Sequence, residues 1–254
     1  MPQRTSDRLA AAYTTILDVE RPTVDRAAAG RTLQRLIRGL TLDEQRVAEI
    51  AAELSQRFAP LALNDLTAAL APAQLPQSTP LMELPAWRIR EPLPAATLLS
   101  FYRSASTESG ISWGTLAAIN LVETRMGRII GASSSGAVGP MQFLPTTWAV
   151  CCQGDPWDDH DAIHGAAAYL VRRGGPGDMR RAILGYNPSE PYLAMVTAYA
   201  DNLAREPDLL VGYHAWEVYV RTVSGAVRLS VGYDATEPID AAEYYRAHPG
   251  DHAD

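Results

Sequence analysis

The sequence predicts a mainly α-helical protein that ends in a small β-hairpin. Apolar residues recur at helical spacing through most of the first seventy positions, and a helix-rich block follows over residues 94–206. After that block, HAWEVYVRT and AVRLSVGY alternate like strands around Ser224-Gly225, which is typical of a hairpin. With 254 residues and 47% hydrophobic composition, the chain is long enough to bury one core and a smaller helical annex.

The N-terminal region, residues 1–74, is expected to contain four helices, and none of its residues form a catalytic or binding motif. Apolar residues at i, i+4, i+7 and i+8 draw the stripe of the first helix: Leu9, Tyr13, Ile16 and Leu17. Pro22 is expected to open the second helix, because its fixed φ suits an early helical position. Thr41 and Glu44 form a candidate capping box for the third. The fourth is expected to cover 61–70.

A Pro-rich segment over residues 75–93 separates this region from the helix-rich block. Its proline density excludes long helices and favours an extended linker, with Trp87 expected to anchor it to a neighbouring domain. The last unit, residues 207–254, is expected to hold the hairpin and a tail that frays from Glu237 onwards.

Composition excludes several function classes. A net charge of −7 argues against a nucleic-acid partner, which demands clustered cations. The five histidines lack paired cysteines or metal-ligand spacing, so neither a metal nor another cofactor is expected. No apolar run approaches the roughly 20 residues of a membrane span, and a monomer is expected. The neighbours Cys151 and Cys152 are expected to be thiols, because an eight-membered ring strains the joining peptide; a bridge to another chain is the alternative.

One glutamate lies near the end of a predicted helix. ISWGTLAAINLVETRMGR should begin after Ser112 as N-cap and end near Gly127. Leu116, Ile119 and Glu123 share one face at i, i+3 and i+7, so the carboxyl projects from an apolar stripe. Desolvation and the negative end of the helix dipole should both raise its pKa, as a general acid requires.

The same position also allows a plainer interpretation. A glutamate at a helix end is most often a solvated surface group, here paired with Arg125 or Arg128. The helix alone therefore does not identify Glu123 as an acid.

Two further blocks have the composition of a carbohydrate groove. GASSSGAVGPMQFLPTTW carries small residues, hydroxyls such as that of Ser133, and the amide of Gln142 beside Met141. GYNPSEPYLAMVTAYADNL places two aromatics and an amide at a loop-to-helix junction. Those three residues are Tyr186, Asn187 and Tyr192. The alternatives are a turn-rich loop with a buried Met-Phe pair, and core tyrosines with tethered hydroxyls.

Taken in order, the blocks resemble the catalytic domain of lytic transglycosylases, which share the core of goose-type lysozymes. The family pattern has a glutamate at a helix end, then S-x-x-G-A-x-G-x-x-Q-x-x-P, then a Tyr-Asn pair and another tyrosine. Here these are Glu123 in NLVETRMGR, Ser133 to Pro145 in SSSGAVGPMQFLP, and YNPSEPY. WDDHDAIHGAAAYL is similar to a further family helix, and the details are nearest the membrane-bound transglycosylase B branch. The resemblance covers about residues 95–206.

The resemblance implies a lysozyme-like fold and a lyase that cleaves the β-1,4 bond between N-acetylmuramic acid and N-acetylglucosamine in peptidoglycan glycan strands. It implies that Glu123 protonates the leaving oxygen and then removes the proton of the muramoyl C6 hydroxyl, giving a 1,6-anhydro product. It also implies that four residues orient the sugar: Ser133, Gln142, Asn187 and Tyr192. Two more, Tyr186 and Met141, are implied to shape the groove.

A lone carboxyl agrees with this chemistry, because standard glycosidases need a second acid within about 5–9.5 Å. The nearest acidic cluster is better explained by helix capping, with Asp158 as N-cap and Asp161 in the first turn. A goose-type muramidase that delivers water, or a non-catalytic peptidoglycan-binding module, remain the alternatives. The substrate implies an extracytoplasmic location, although no secretory signal is visible at the start of the chain.

The sequence departs from the family pattern in three places. CCQGDPWDD is too short and lacks the alternating ligands of a calcium loop, so no calcium is expected. Ser189 stands where the family commonly has Gly after Tyr-Asn, which leaves that loop's conformation open. His160 is expected to be solvated.

Overall fold

The computed structural model describes residues 4–74 and 79–253 and is mainly helical, with three small antiparallel strand pairs in that part of the chain. The helices are α1 Thr5–Leu17, α2 Thr23–Arg38, α3 Glu44–Ala52, α4 Ala59–Leu70, α5 Ala95–Ser109, α6 Trp113–Thr124, α7 Pro145–Cys151, α8 Asp159–Arg172, α9 Met179–Tyr186, α10 Glu190–Arg205, α11 Leu209–His214 and α12 Ala241–Ala247. The strands are β1 Glu83–Leu84, β2 Arg88–Ile89, β3 Ile129–Ile130, β4 Val218–Thr222, β5 Gly225–Leu229 and β6 Ile239–Asp240. Within the described ranges, no helix has the length and apolar character to cross a membrane.

The four N-terminal helices form where the apolar spacing predicts them. The cap of α3 differs from the prediction: Asp43 accepts a hydrogen bond from the backbone N–H of Arg46 at 2.7 Å, so the Thr41 capping box is wrong. The helix begins only at Glu44, and an aspartate directly before it is closer to the orphan donors than a threonine three residues earlier.

A single hydrophobic core runs through the N-terminal helices and the helix-rich block. Helix α4 packs on α10, and α2 packs on α11. The second contact requires glycine, because a Cβ on Gly30 would lie 2.4 Å from the backbone oxygen of Gly212. The N-terminal helices therefore hold the two later helices in place, α10 among them. The boundary at residue 94 stays a prediction.

A smaller core joins the described part of the Pro-rich segment to the C-terminal unit. The hairpin is confirmed: β4 pairs with β5 in antiparallel register, from Val218↔Leu229 to Thr222↔Gly225. Strand β1 pairs with β6, and β2 pairs with β3. Residues 79–93 contain no helix, as the proline density predicts. Their two short strands, β1 and β2, are hydrogen-bonded to strands from later parts of the chain. The predicted positions 75–78 of the linker lie outside the described residues.

The expectation of a frayed tail after Glu237 is wrong. Residues 239–247 form β6 and then α12, whose Tyr244 is buried against Tyr233 at 5.9 Å between ring centroids. The Tyr244 hydroxyl also donates to the carboxylate of Asp251 at 2.8 Å. A polar segment gains order here because two aromatic residues bury enough apolar surface to hold it.

Candidate functional site

Helix α6 carries Glu123 in its last turn. Ser112 caps the helix as predicted, accepting from the N–H of Gly114 at 3.2 Å. The helix ends at Thr124 rather than near Gly127, because Arg125 already has a left-handed backbone, with φ 54°. Three residues in succession then have positive φ, so the chain turns sharply away directly after the carboxyl.

The turn after α6 is fixed by buried hydrogen bonds to the next loop. The carbonyl oxygen of Pro140 accepts from the amide of Asn120 at 2.8 Å and from the hydroxyl of Thr124 at 2.6 Å. Tyr102 donates to Asn120 at 2.6 Å, which orients that amide. Sequence reasoning missed these residues, although Asn120, Glu123 and Thr124 recur at i, i+3 and i+4 on one face.

Glu123 is hydrogen-bonded to a tyrosine rather than to a cation. The Tyr192 hydroxyl donates to Glu123 Oε1 at 2.6 Å. The alternative pairing with arginine is wrong: Arg128 pairs with Glu91 at 3.0 Å, and Arg125 donates to the carbonyl of Leu121 at 2.6 Å. Both arginines are therefore occupied elsewhere.

Burial raises the pKa of Glu123 to about 7, and the hydrogen bond from Tyr192 opposes this shift. No second carboxylate in residues 4–74 or 79–253 bonds to Glu123 or is a cause of its shift. Because the carboxyl is partly protonated near neutral pH, it can donate a proton and later accept one.

The predicted groove residues Tyr186 and Met141 are joined directly. The Tyr186 hydroxyl donates to the backbone oxygen of buried Met141 at 2.6 Å. The Tyr186 ring is stacked on Tyr192 at 6.5 Å between centroids, with the planes 7° apart. After burial, the charge of Glu123 is the next cause that raises the pKa of Tyr186. Glu123, Tyr192, Tyr186 and Met141 are thus connected by two hydrogen bonds and one ring contact.

The loop over residues 131–144 holds Gln142 and Ser133. Gln142 adopts a left-handed backbone, φ 50°, and its side-chain amide donates to the carbonyl of Gly139 at 3.0 Å. Ser133 Oγ accepts from the N–H of Ala137 at 3.0 Å, so the hydroxyl keeps its own proton for donation. Among the described residues, Ser133 makes no hydrogen bond to Glu123. The side chains of Gln142 and Ser133 therefore both make hydrogen bonds within the loop.

Trp87 anchors the Pro-rich segment as expected, and its partner is this loop. The indole N–H donates to the carbonyl of Ala132 at 3.2 Å. The ring lies against Gly131, where a Cβ would come within 2.4 Å of Trp87 Cδ1. The segment before the helix-rich block therefore supports the candidate site.

Asn187 and Ser189 link α9 to α10. Asn187 is the C-cap of α9 and is half-buried, and no described group bonds to its side-chain amide. Ser189 is the N-cap of α10 and accepts from the N–H of Tyr192 at 3.3 Å. A glycine is not needed at position 189, because the backbone there is extended, with φ −136°. As N-cap, Ser189 instead stabilises the start of the helix that carries Tyr192.

The acidic cluster caps α8. Asp158 accepts from the N–H of Asp161 at 3.0 Å, and Asp161 lies in the first turn, as predicted. Buried Asp159 pairs with Arg90 at 2.7 Å. Side-chain atoms of Asp158, His160 and Asp161 lie close enough together to hold a metal ion. Asp161 already accepts from the N–H of Asp155 at 3.0 Å, and exposed His160 lies 3.1 Å from it, so capping explains the group.

The prediction that Cys151 and Cys152 are thiols is wrong, because they form a disulfide with each other. Cys151 is the last residue of α7, and Cys152 is extended, with φ −133° and ψ 170°. This change of backbone conformation lets the sulfurs meet across a joining peptide whose Cα–Cα distance of 3.8 Å is that of an ordinary trans bond.

We compared the chain with protein-family models, curated proteins and solved structures, and nothing matches it. The candidate site consists of a desolvated carboxyl bonded to a tyrosine that is stacked on a second tyrosine. A loop of hydroxyl and amide groups is joined to the second tyrosine through the backbone oxygen of Met141.

Proposed function

We propose that this protein is a peptidoglycan lytic transglycosylase with a lysozyme-like catalytic domain over residues 94–206, acting outside the cytoplasm. The observation that carries the proposal is Glu123. Its carboxyl is held by Tyr192 at 2.6 Å, its pKa is raised to about 7, and no second acidic side chain in the described ranges bonds to it. A lone carboxyl near neutral pKa suits a reaction in which one group acts twice.

In the proposed reaction, protonated Glu123 donates to the oxygen between N-acetylmuramic acid and N-acetylglucosamine as the C1–oxygen bond breaks. The sugar N-acetyl group supports the positive charge that develops at C1. The Glu123 carboxylate then takes the proton of the muramoyl C6 hydroxyl while O6 bonds to C1. The glycan gains an anhydro ring, no water is consumed, and Glu123 returns to its protonated form.

The neighbouring residues support both steps. Tyr192 donates to the carboxylate formed after the first proton transfer, and that hydrogen bond is stronger to the charged form. Gln142, Ser133 and Asn187 offer amide and hydroxyl groups for the sugar, and Asn187 has no competing partner in the described part of the chain. In this proposal Tyr186 and Met141, which are joined by a hydrogen bond of 2.6 Å, shape the groove.

Digestion of purified cell wall, with mass analysis of the released fragments, tests the proposal. A lyase gives anhydro ends that are one water lighter than the reducing ends left by a goose-type muramidase. Glu123→Gln keeps the size of the side chain and removes the acid, and it should abolish release. Equal clearing by wild type and Glu123→Gln would show that Glu123 is not the catalytic acid, and no clearing by either protein would favour a binding module.

A further inference from the structure

A cavity of about 370 Å³ lies where α2, the hairpin and the segment between α6 and β3 meet. Its charged lining residues are three arginines, Arg31, Arg128 and Arg228, and two glutamates, Glu91 and Glu217. We name it the three-arginine cavity. With three cations and two anions, its lining has an excess of positive charge, although the whole chain has a net charge of −7.

The helix and the hairpin that border the cavity are fixed to each other. Gln34 lies one turn after Arg31 on α2, and its amide donates to the carbonyl of Glu217 at 2.9 Å and accepts from the N–H of Glu217 at 2.8 Å. Arg228 lies opposite Tyr219 in the register of the hairpin. The backbones that carry Arg31 and Arg228 therefore border the cavity as one fixed unit.

Arg128 is buried, with 9% of its side chain exposed, and one of its donors lacks an acceptor. Its Nη1 donates to the carboxylate of Glu91 at 3.0 Å, and its Nη2 donates to the carbonyl of His214 at 3.2 Å. No group in the described part of the chain accepts from its Nε–H. Because buried donors in folded proteins are normally hydrogen-bonded, the unpaired Nε–H indicates a missing acceptor.

The other two arginines also have unpaired donors. Arg228 Nη1 lies 3.5 Å from Glu217, and the buried Nε–H of Arg228 has no acceptor among the described residues. Arg31 is half-buried, and its side chain makes no hydrogen bond or ion pair within residues 4–74 and 79–253. Glu217 is shared with further partners, because it accepts from the Tyr219 hydroxyl at 2.9 Å and lies 4.0 Å from Arg35. The two glutamates therefore leave donors of all three arginines unpaired.

A phosphate group suits these donors better than a carboxylate does. It offers three terminal oxygens instead of two, and a guanidinium group binds phosphate oxygens through a planar fork of N–H groups. The uncharged part of the lining includes the apolar residues Ile89, Val218 and Leu229. The volume of about 370 Å³ lies within the roughly 300–1,000 Å³ of sites for small organic ligands, so an organic group can accompany the phosphate.

We infer that the three-arginine cavity binds a small phosphate monoester. Arg31, Arg128 and Arg228 donate to the phosphate oxygens, and the organic group packs against the apolar part of the lining. The bound ester joins α2, the segment after α6 and the hairpin. Binding there does not involve Glu123, so it can be measured whether or not the protein cleaves glycan.

Calorimetric titration of the full chain with glycerol phosphate tests this site, and inorganic phosphate and glycerol are the comparison ligands at equal ionic strength. Arg31→Gln is the first variant, because the Arg31 side chain has no partner among the described residues that its loss would disturb. Arg228→Gln is the second variant, and it decides the question if the first does not fold. Arg103→Gln is the matched control, since it removes the same charge from an exposed position on α5.

Wild type should bind glycerol phosphate, and the dissociation constant should rise about tenfold in Arg31→Gln and in Arg228→Gln, as expected for the loss of a charged hydrogen bond. Arg103→Gln should bind as wild type does. Arg31→Lys should recover part of the affinity, because lysine keeps the charge without the planar fork.

Three results would overturn the proposed site: no binding by wild type, an unchanged dissociation constant in either folded cavity variant, or the same weakening in Arg103→Gln. Inorganic phosphate that binds as tightly as glycerol phosphate would identify the free ion as the ligand and overturn the assignment to a monoester. Glycerol alone should not bind, and binding of glycerol as tight as that of its phosphate would likewise contradict recognition through the arginines.

Discussion

Near neutral pH, the buried carboxyl of Glu123 should lower the free energy of unfolding, and Glu123→Gln should remove this destabilisation. The pKa of the carboxyl is 4.5 in its ordinary state and about 7 in the folded protein. The folded state therefore binds the proton more tightly than the unfolded chain. Stability from this group is fully present below pH 4.5 and is lost as pH rises towards 7.

The magnitude follows from the two values. At about 1.4 kcal/mol per pH unit, the interval from 4.5 to about 7 corresponds to about 3 kcal/mol at most. Glutamine is neutral at every pH and can still accept from the Tyr192 hydroxyl, so the variant avoids the penalty. A gain of this size is a large part of the 5–15 kcal/mol that is typical of a whole domain.

The assay is urea unfolding of wild type and Glu123→Gln between pH 4 and 8. The free energy of unfolding of the variant, minus that of wild type, should increase across this range by up to about 3 kcal/mol. Burial raises the pKa of Asp65 to about 6, but this carboxyl is present in both proteins and cancels in the difference. The control is Glu44→Gln, an exposed glutamate of α3. A pH-independent difference for Glu123→Gln would refute the reasoning.

Four further substitutions test the site and the residues that support it. Tyr192→Phe removes the hydrogen bond that lowers the pKa of Glu123, so the alkaline limb of the rate of wall clearing should move to higher pH; an unchanged limb would contradict this role. Ser189→Ala removes the cap of α10 and should lower the free energy of unfolding by about 1 kcal/mol, measured with urea. Gly136→Ala and Gly139→Ala form a matched pair with φ 79° and 77°. The first meets open space and should cost about 1–2 kcal/mol. The second would place a Cβ 1.7 Å from a backbone oxygen and should cost about 1–3 kcal/mol more in the same urea assay; equal losses would contradict the packing argument.

Local chemistry explains the features that could be predicted from the sequence. The stripe of Leu9, Tyr13 and Ile16, the cap at Ser112 and the hairpin depend on residues within a few positions of one another. The burial that raises the pKa of Glu123 was also foreseeable in direction, because the carboxyl follows apolar residues along one helix face.

Other features depend on distant residues. The order of the tail depends on Tyr233 and Tyr244 meeting in a second core. The end of α6 depends on Pro140, whose oxygen binds Asn120 and Thr124 from another loop. The disulfide depends on a helix that ends between the two cysteines.

By itself, the sequence determined the mainly helical character of the chain and the hairpin, because helical periodicity, capping and strand alternation depend on residues a few positions apart. It indicated Glu123 as the candidate acid only through the ordered motifs that follow it. Only the tertiary structure decided what the carboxyl touches. Tyr192 lies 69 positions away and reaches it at 2.6 Å, whereas the nearby arginines do not pair with it. Hydrogen bonds of this kind depend on how α6 and α10 pack, and packing is set by the whole core rather than by neighbours along the chain.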